Sequence, residues 1–200
     1  IYFAARSQIT ENCWTMLIRF RAENFRSLLG EQIFSMVAAS ALKEDDDKTI
    51  YVGNIGGSIL RTAAVYGANA SGKTNLVKAI KFMRDAVVHS HTNWEPESGI
   101  PIQPFALNRK GRGAVSTFEV DVLVADVRYR YGFSLNKQRV VREWLSAYPH
   151  GQEQKWFERG VRKPNEYKFG RHLKGQNRTI SNLTKRNSLF LSAAAQNNHS

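Results

Sequence analysis

Eight residues in the first half of the chain have the types and spacing of a phosphate-binding loop. They read Gly67-Ala68-Asn69-Ala70-Ser71-Gly72-Lys73-Thr74 and match the pattern G-x-x-x-x-G-K-[ST]. Glycines at the two ends of such a loop let backbone N–H groups approach an anion closely. Lys73 can reach the β- and γ-phosphates as a point charge, and the Thr74 hydroxyl can ligate Mg²⁺. The loop therefore predicts binding of a nucleoside triphosphate together with Mg²⁺.

The segments on either side of the loop favour this chemistry. Small and apolar residues at 63–66 are typical of a buried parallel strand that leads into the loop. Apolar residues then recur at helical spacing up to about His89, at Leu76, Ile80, Met83 and Val87. A helix beginning at the loop would direct its free N–H groups at the phosphates. The alternative is a glycine-rich turn whose Lys73 and Thr74 only begin a helix.

Composition limits the classes of protein that the chain can belong to. Its 200 residues, 42% of them hydrophobic, suffice for one domain or one and a half with a real core. The single cysteine, Cys13, excludes an intrachain disulfide and favours a reducing compartment. No apolar run approaches the roughly 20 residues that cross a bilayer, and no signal-peptide pattern begins the chain. We therefore expect a soluble, cytoplasmic protein with no membrane partner.

The positive charge of the chain is concentrated in its second half. The formal net charge is +12, and the stretch from Lys137 to Arg186 contains 13 basic and 4 acidic residues. Such a stretch could contact the backbone of a nucleic acid, DNA included. No recognition motif accompanies it, which favours a solvated surface or an interface to acidic parts of the same protein.

Pattern changes divide the chain into three parts after an extension. Residues 1–15 precede the first methionine, Met16, and are predicted to lie outside the fold. Residues 16–91 hold a hairpin at 17–25 and 32–37, a short strand at 49–52, the loop and the first helix. Residues 92–170 begin with a proline-containing connector and continue as a β region. Residues 171–200 have the composition of one or two helices.

The β region of the second part is predicted from alternating hydrophobicity. The pattern has period two over 118–124, 128–135 and 140–145, and a fourth strand is expected at 155–159. Consecutive strands with short turns form an antiparallel meander. We expect it to be an antiparallel β subdomain inserted after the first helix.

Four other motifs look like functional sites but lack the partners they would need. Asp126 follows an apolar strand, as a Mg²⁺ ligand would, yet it falls at a turn and no glutamate follows it. The acids at 44–47 are predicted to be a solvated loop. The histidines His89, His91 and His150 have no further ligand at metal spacing. The segment 136–139 resembles a guanine-reading motif without its aspartate, which disfavours a GTPase.

Several segments together resemble a known group of ATPases. Residues 20–28, F-R-A-E-N-F-R-S-L, precede a G-x-N-x-S-G-K-T loop, as in ABC-type ATPases of the SMC, RecF and OLD group. The segments 129–133, 143–145 and 187–192 are similar to bacterial AAA-type ATPases of that group, many of which occur in anti-phage defence systems. The resemblance extends from Met16 over most of the chain.

The resemblance implies a fold and a set of site residues. The fold is an α/β P-loop NTPase, the N-terminal lobe of an ABC ATPase-like head, with ATP and Mg²⁺ sandwiched between two subunits of a homodimer. Arg26 and Ser27 would lie beside the nucleotide, although a strand end at a surface is an equal alternative. Lys73 is the catalytic candidate and Thr74 the metal ligand. The full nucleotide-binding set is Arg26, Ser27, Gly67, Asn69, Ala70, Ser71, Gly72, Lys73, Thr74 and Asn75.

The second half of such a head has no counterpart before Ser200, so the resemblance implies an N-terminal part of a longer ATPase. The full-length protein would hydrolyse ATP as a dimer and control a DNA-linked or anti-phage effector, for example a nuclease, while these 200 residues alone would be inactive. The alternative is a nucleotide-sensing or basic nucleic-acid-binding module without turnover. A small-molecule kinase is disfavoured because no lid or acceptor site is recognisable.

Overall fold

The computed structural model describes residues 15–39, 47–107, 113–160, 162–163 and 165–197. Residues 1–14 of the extension predicted at 1–15, including Cys13, and the first three acids of the 44–47 run lie outside these ranges. Thr15, the last residue of that predicted extension, belongs to the first strand of the fold. Asp47, the last of those acids, is exposed.

The chain begins with the predicted hairpin. Strand β1 spans Thr15–Glu23 and pairs antiparallel with β2, Gln32–Ser35. The hairpin is confirmed, and β1 begins one residue before Met16 because Thr15 pairs with Val124. The turn between the strands contains the N-F-R-S segment of residues 24–27.

A small second hairpin covers one end of the main sheet. Strand β3, Thr49–Val52, leads through a single 3₁₀ turn at Gly53–Ile55 into β4, Gly57–Leu60. The predicted strand at 49–52 and the glycine turn after it are confirmed. Val52 and Ile59 pack against Ile18 and Leu123 of the sheet and form a minor core.

The strand expected at 63–66 is not formed. Residues 62–68 have no regular structure, and every residue from Arg61 to Ala70 is exposed. A parallel strand needs a neighbour to receive its hydrogen bonds, and no strand in the described ranges lies beside this segment. Apolar composition alone was therefore misleading here.

Helix α1 begins at the loop and spans Lys73–Asn93. It confirms the predicted helix and extends past His89. The buried positions Ala79, Met83, Ala86, Val87 and Ser90 recur at helical spacing and lie on one face. Of the predicted apolar positions, Met83 and Val87 are buried while Leu76 and Ile80 are half-buried.

A connector without regular structure follows α1, as predicted from its prolines. It is anchored by side chains and by backbone hydrogen bonds. Trp94, Ile100 and Ile102 are buried, and the Ile100 N–H donates to the carbonyl of Lys137. The connector thus reaches the end of the sheet that faces the N-F-R-S turn.

The predicted meander is confirmed, with a short fifth strand. Its strands are β5 at Ser116–Val124, β6 at Val127–Leu135, β7 at Val140–Tyr148, β8 at Gln154–Arg159 and β9 at Tyr167–Phe169. Because β1 pairs with β5, the hairpin and the meander form one seven-stranded antiparallel sheet, in the order β2-β1-β5-β6-β7-β8-β9. The predicted boundary at residue 91 therefore divides a continuous sheet, whereas the boundary at 170 follows its last strand.

Two short helices complete the described chain, as the composition of the last part predicts. Helix α2 spans Asn177–Leu183 and α3 spans Phe190–Gln196. Helices α1 and α3 cover one face of the sheet and bury the main core. That core is aromatic, with Phe82 of α1 placed 5.1 Å, centroid to centroid, from Phe118 of β5. Among the described residues, no helix combines the length and apolarity that crossing a bilayer requires.

Candidate nucleotide-binding site

The backbone of the loop is shaped to receive an anion. Gly72 has φ 94°, a left-handed conformation that glycine adopts without steric cost, and Ala70 also has a positive φ of 63°. These angles place the loop at the N-terminus of α1. The N–H groups of Gly72, Lys73 and Thr74 donate to no acceptor within the described ranges. With no acidic side chain in the first turn, three free donors and the helix dipole favour a bound anion.

The Lys73 ammonium group lies inside the loop. Its Nζ donates to the carbonyls of Gly67 at 2.7 Å and Ala68 at 2.6 Å, and it lies 3.4 Å from the Ser71 hydroxyl. A methyl group on Gly67 would come within 3.0 Å of that hydroxyl, so the position accepts only glycine comfortably. The Lys73 ammonium group is therefore held by loop carbonyls. The oxygens of a bound phosphate would replace those carbonyls as its hydrogen-bond partners.

The donor set of the loop fits a magnesium triphosphate. Thr74 is exposed at the start of α1, and no hydrogen bond occupies its hydroxyl within the described ranges. A hydroxyl with hard oxygen character is a suitable Mg²⁺ ligand beside phosphate oxygens. Free N–H groups, a lysine and a hydroxyl thus meet in one loop.

The N-F-R-S turn lies directly against this loop. The Asn75 side-chain amide of α1 donates to the Ser27 hydroxyl at 2.7 Å. A Cβ at Gly72 would lie 3.5 Å from the same hydroxyl and 3.6 Å from Leu28, so the turn touches the end of the loop. The structure therefore brings Ser27 and Asn75 together, although their roles as nucleotide contacts remain predictions.

Arg26 is anchored through its own backbone to the connector and has no described contact with the phosphate-binding loop. Its N–H donates to the carbonyl of Gln103 at 2.8 Å, and its guanidinium group lies 5.6 Å from the ring centre of Phe25. Its Nε is buried and has no hydrogen-bond partner among the described residues. No described contact joins Arg26 to the loop. An orphaned donor next to Ser27 is nevertheless a group that a ligand could satisfy.

Asn24 fixes the shape of the turn. It has a left-handed backbone, φ 53°, and its side-chain amide donates to the carbonyls of Ala114 and Val115 at 3.0 and 3.2 Å. Its side-chain oxygen accepts the N–H of Phe105 at 3.0 Å. Asparagine tolerates this backbone conformation better than most residues. The asparagine of N-F-R-S therefore has a structural role.

The other end of α1 is held by the segment 187–192. The Ser90 hydroxyl accepts the N–H of Leu189 at 3.1 Å, and the Ser192 hydroxyl accepts the N–H of His91 at 3.1 Å. Asn187 donates to the carbonyl of Glu95 at 2.9 Å. The N-S-L-F-L-S segment thus fixes the C-terminus of the helix whose N-terminus carries the loop.

A buried ion pair holds the same segment to the sheet. The Glu143 carboxylate accepts the N–H groups of Phe190 and Leu191 at 2.7 and 3.0 Å, and the Tyr131 hydroxyl at 2.9 Å. Arg159 lies 3.8 Å from Glu143 and donates to the carbonyl of Ser188 at 2.7 Å. Burial raises the pKa of Glu143, and the neighbouring Arg159 and the N–H donors oppose that shift. Burial likewise raises the pKa of Tyr131 well above its usual range.

The motifs that were expected to be structural have structural positions. Ala125 and Asp126 both have positive φ and form the tight turn between β5 and β6, which confirms that Asp126 lies at a turn. The turn is at the end of β5 opposite to Ser116, whose hydroxyl donates to the carbonyl of Asn24. A nine-residue strand is about 27 Å long, so Asp126 is far from Thr74.

The segment 136–139 and the histidines are the two remaining motifs. The Asn136 side chain accepts the N–H groups of Gln138 and Arg139 at 2.9 and 3.0 Å and so closes the turn between β6 and β7. Among the described residues no three histidine, cysteine or acidic side chains cluster as metal ligands would.

A phosphate-binding loop that opens a helix packed on a sheet defines the class of protein, a P-loop NTPase. Residues 63–198 match the family described as "AAA domain, putative AbiEii toxin, Type IV TA system". The match covers more than half of the chain, and the chain therefore belongs to this family of AAA domains. Such a domain implies nucleotide-binding, ATPase-like function with ATP and typically Mg²⁺. Comparison with curated proteins gave no match.

Sequence reasoning missed the connections that hold the site in place. Arg159 lies in a predicted strand, K-W-F-E-R, whose charged residues give no sign that this arginine is buried. Ser90, inside the helix, gave no signal because a serine at that position is unremarkable until its partner is known.

Proposed function

We propose that the chain is the ATP-binding N-terminal part of an ABC/SMC-like ATPase head. The observation that carries this proposal is the hydrogen bond of 2.7 Å between Asn75 and Ser27, which joins the N-F-R-S turn to the phosphate-binding loop. The family match begins at residue 63 and does not include this turn. The turn therefore supports the finer assignment with residues that the match does not cover.

In this proposal the site residues have distinct tasks. The N–H groups at Gly72 to Thr74 hold the phosphates, Lys73 exchanges its carbonyl partners for phosphate oxygens, and Thr74 ligates Mg²⁺. Ser27 and Asn75 form one side of the site, and Arg26 supplies a further donor. ATP, once bound with Mg²⁺, supplies the reactive γ-phosphoryl group.

We further propose that two copies enclose ATP and that its hydrolysis controls a DNA-linked or anti-phage effector. Three exposed apolar side chains flank the loop and would suit a subunit interface: Val65, Tyr66 and Val77 are 49%, 90% and 66% exposed. The family description names a toxin of a toxin–antitoxin system, which supports a defence-linked role.

Nucleotide titration of this chain with a fluorescent ATP analogue and Mg²⁺ tests the binding step. Replacement Lys73→Ala is expected to weaken binding at least about tenfold, since it removes the cation that meets the phosphates. Lys81→Ala, on the exposed side of the same helix, is the matched control and should bind as the wild type does. Wild-type affinity in the Lys73 variant would sink the proposal.

The second candidate is a nucleotide sensor without turnover. It is favoured because no carboxylate in the described ranges contacts Lys73 or Thr74, and such a group would be needed to position water. Phosphate release by the full-length protein separates the two candidates. An ATPase that acts as a dimer should show a rate per chain that rises with protein concentration, whereas a sensor should show tight binding with no release.

A further inference from the structure

The cations of residues 162–186 differ from three arginines of the sheet, Arg21, Arg128 and Arg130. This segment contains eight Lys and Arg side chains and one carboxylate, Glu166. In β1 and β6, Arg21, Arg128 and Arg130 are paired with carboxylates at 3.1–3.5 Å. None of the eight cations forms an ion pair within the described ranges. Their charge is therefore available to an anionic partner.

A groove of about 600 Å³ lies within this segment, between the edge strand β9 and helix α2. Tyr167 and Phe169 share one face of the strand and form the first wall together with Asn165, which precedes the strand. The second wall is polar and comes from α2 and the residue that ends it, at Arg178, Ser181, Asn182 and Thr184.

The groove combines three kinds of group. Arg178 is exposed, and its guanidinium group makes no hydrogen bond or ion pair in the described part of the chain. Asn182 adds an exposed amide. The rings of Tyr167 and Phe169 are stacked, with centroids 5.6 Å apart and planes at 15°, and both are half-buried. An unpaired cation, a neutral amide and aromatic rings are groups that can hold a single nucleic-acid strand.

We propose that this groove binds single-stranded nucleic acid, with Arg178 at a phosphodiester group and a base against Tyr167 and Phe169. A single strand presents a phosphate and an unstacked base face at one place, whereas a duplex keeps its base faces inside the stack. The proposal does not depend on the ATP site, because β9 and α2 contribute nothing to the phosphate-binding loop.

Fluorescence anisotropy with labelled oligo-dT and oligo-U of about twelve nucleotides tests the proposal. The wild-type chain is expected to bind at low salt, with an affinity that falls steeply as salt increases. Arg178→Glu should weaken binding at least about tenfold and reduce the slope of log K against log salt by about 0.7, the contribution of one phosphate contact. Arg178→Lys should retain most of the affinity. The two oligonucleotides show whether DNA or RNA is the better ligand.

Charge alone is separated from the groove by a matched variant. Arg84→Glu makes the same charge change on the exposed side of α1 and should bind within about twofold of the wild type. Lys73→Ala should also bind the oligonucleotides normally, which keeps this test independent of ATP. Equal losses in the Arg178 and Arg84 variants, tighter binding of a duplex, or no binding at low salt would each overturn the proposal. Circular dichroism of each variant confirms that it is folded.

Discussion

A single hydrogen bond, between Ser27 and Asn75, joins the two parts of the candidate site. These residues are 48 positions apart in the chain, and each comes from a segment with a different role. Ser27 belongs to the turn of the first hairpin, and Asn75 to the first turn of α1. Their contact converts two separate motifs into one surface around the loop.

Removal of this hydrogen bond should weaken ATP binding. Asn75→Ala and Ser27→Ala are each expected to raise the dissociation constant about fivefold, since one hydrogen bond is worth about 1 kcal/mol. The double variant should be no worse than either single variant, because all three lose the same contact. Asn93→Ala, at the far end of α1, is the control. Fully additive losses in the same titration would contradict the shared contact.

A second residue, His91, should make stability depend on pH. Burial, followed by the positive charge of Lys185, lowers the pKa of His91 below its usual 6.5. The unfolded chain therefore binds the proton more tightly, and stability is retained above pH 6.5 and falls as the pH decreases below it. Urea midpoints measured from about pH 7.5 to about pH 5.5 should show this fall.

The matched variants isolate that histidine from the others. His91→Gln should flatten the fall in stability, whereas His89→Gln, at an exposed position of the same helix, should leave it unchanged. An unaltered pH profile in the His91 variant would assign the effect to other groups.

At the scale of elements, helix α3 is held by side chains from two strands. Glu143 of β7 accepts the first N–H groups of α3, and Arg159 of β8 binds the carbonyl of Ser188 just before it. Both side chains are essentially inaccessible, at 0% and 1% exposure. A helix of seven residues is too short to be stable alone, so these contacts determine its position.

Loss of the Glu143 carboxylate should be strongly destabilising. Glu143→Leu leaves the buried Arg159 without its carboxylate and leaves the N–H groups of Phe190 and Leu191 without their acceptor. We expect a loss of about 3–5 kcal/mol in the free energy of unfolding. Glu143→Gln should cost less, because one acceptor oxygen remains. The control Glu158→Gln removes an exposed pair with Lys155 and should cost under about 1 kcal/mol. Urea unfolding measures all three, and a loss in Glu143→Leu no larger than the control would refute this assignment.

At the scale of the whole molecule, some segments pack into a core and others are exposed. The sheet, α1 and α3 share one core, whereas the segment before the loop is exposed along its length. The segment 62–66 makes no backbone hydrogen bond of its own in the described structure. The loop therefore connects helix α1, which packs on the core, to the exposed segment 62–66, which does not.

Amide hydrogen exchange should reveal this contrast. Without nucleotide, the amides of 63–66 should exchange at nearly unprotected rates, because they have no acceptors. Amides in the middle of β5 and β6 should exchange on the order of a thousandfold more slowly, since they open only with the sheet. Strong protection at 63–66 would show that the segment is paired in solution.

The sequence predicted local patterns well and long-range partners poorly. Alternation gave the strands around Val120 and Tyr131, and helical spacing gave α1, because burial on one face imposes both periods. The loop was recognisable because its chemistry restricts Gly72 and Lys73 to particular types. The strand at 63–66 failed because strand formation depends on a neighbour that no local pattern reveals. The pairing of Glu143 with Arg159 was equally hidden, since it depends on how distant strands align.

The two ends of α1 are held in a similar way, by hydroxyl groups from other segments. Ser27 contacts Asn75 in the first turn, and Ser192 contacts His91 in the last, 16 residues and about 24 Å further along the helix. Sharp kinks in helices occur mostly at proline or glycine, and α1 contains neither. If the loop moves, the helix therefore tilts as a rigid body, or one of the two serine hydrogen bonds is replaced by a hydrogen bond to water. Ser27 and Ser192 are therefore the two contacts that fix the orientation of the helix.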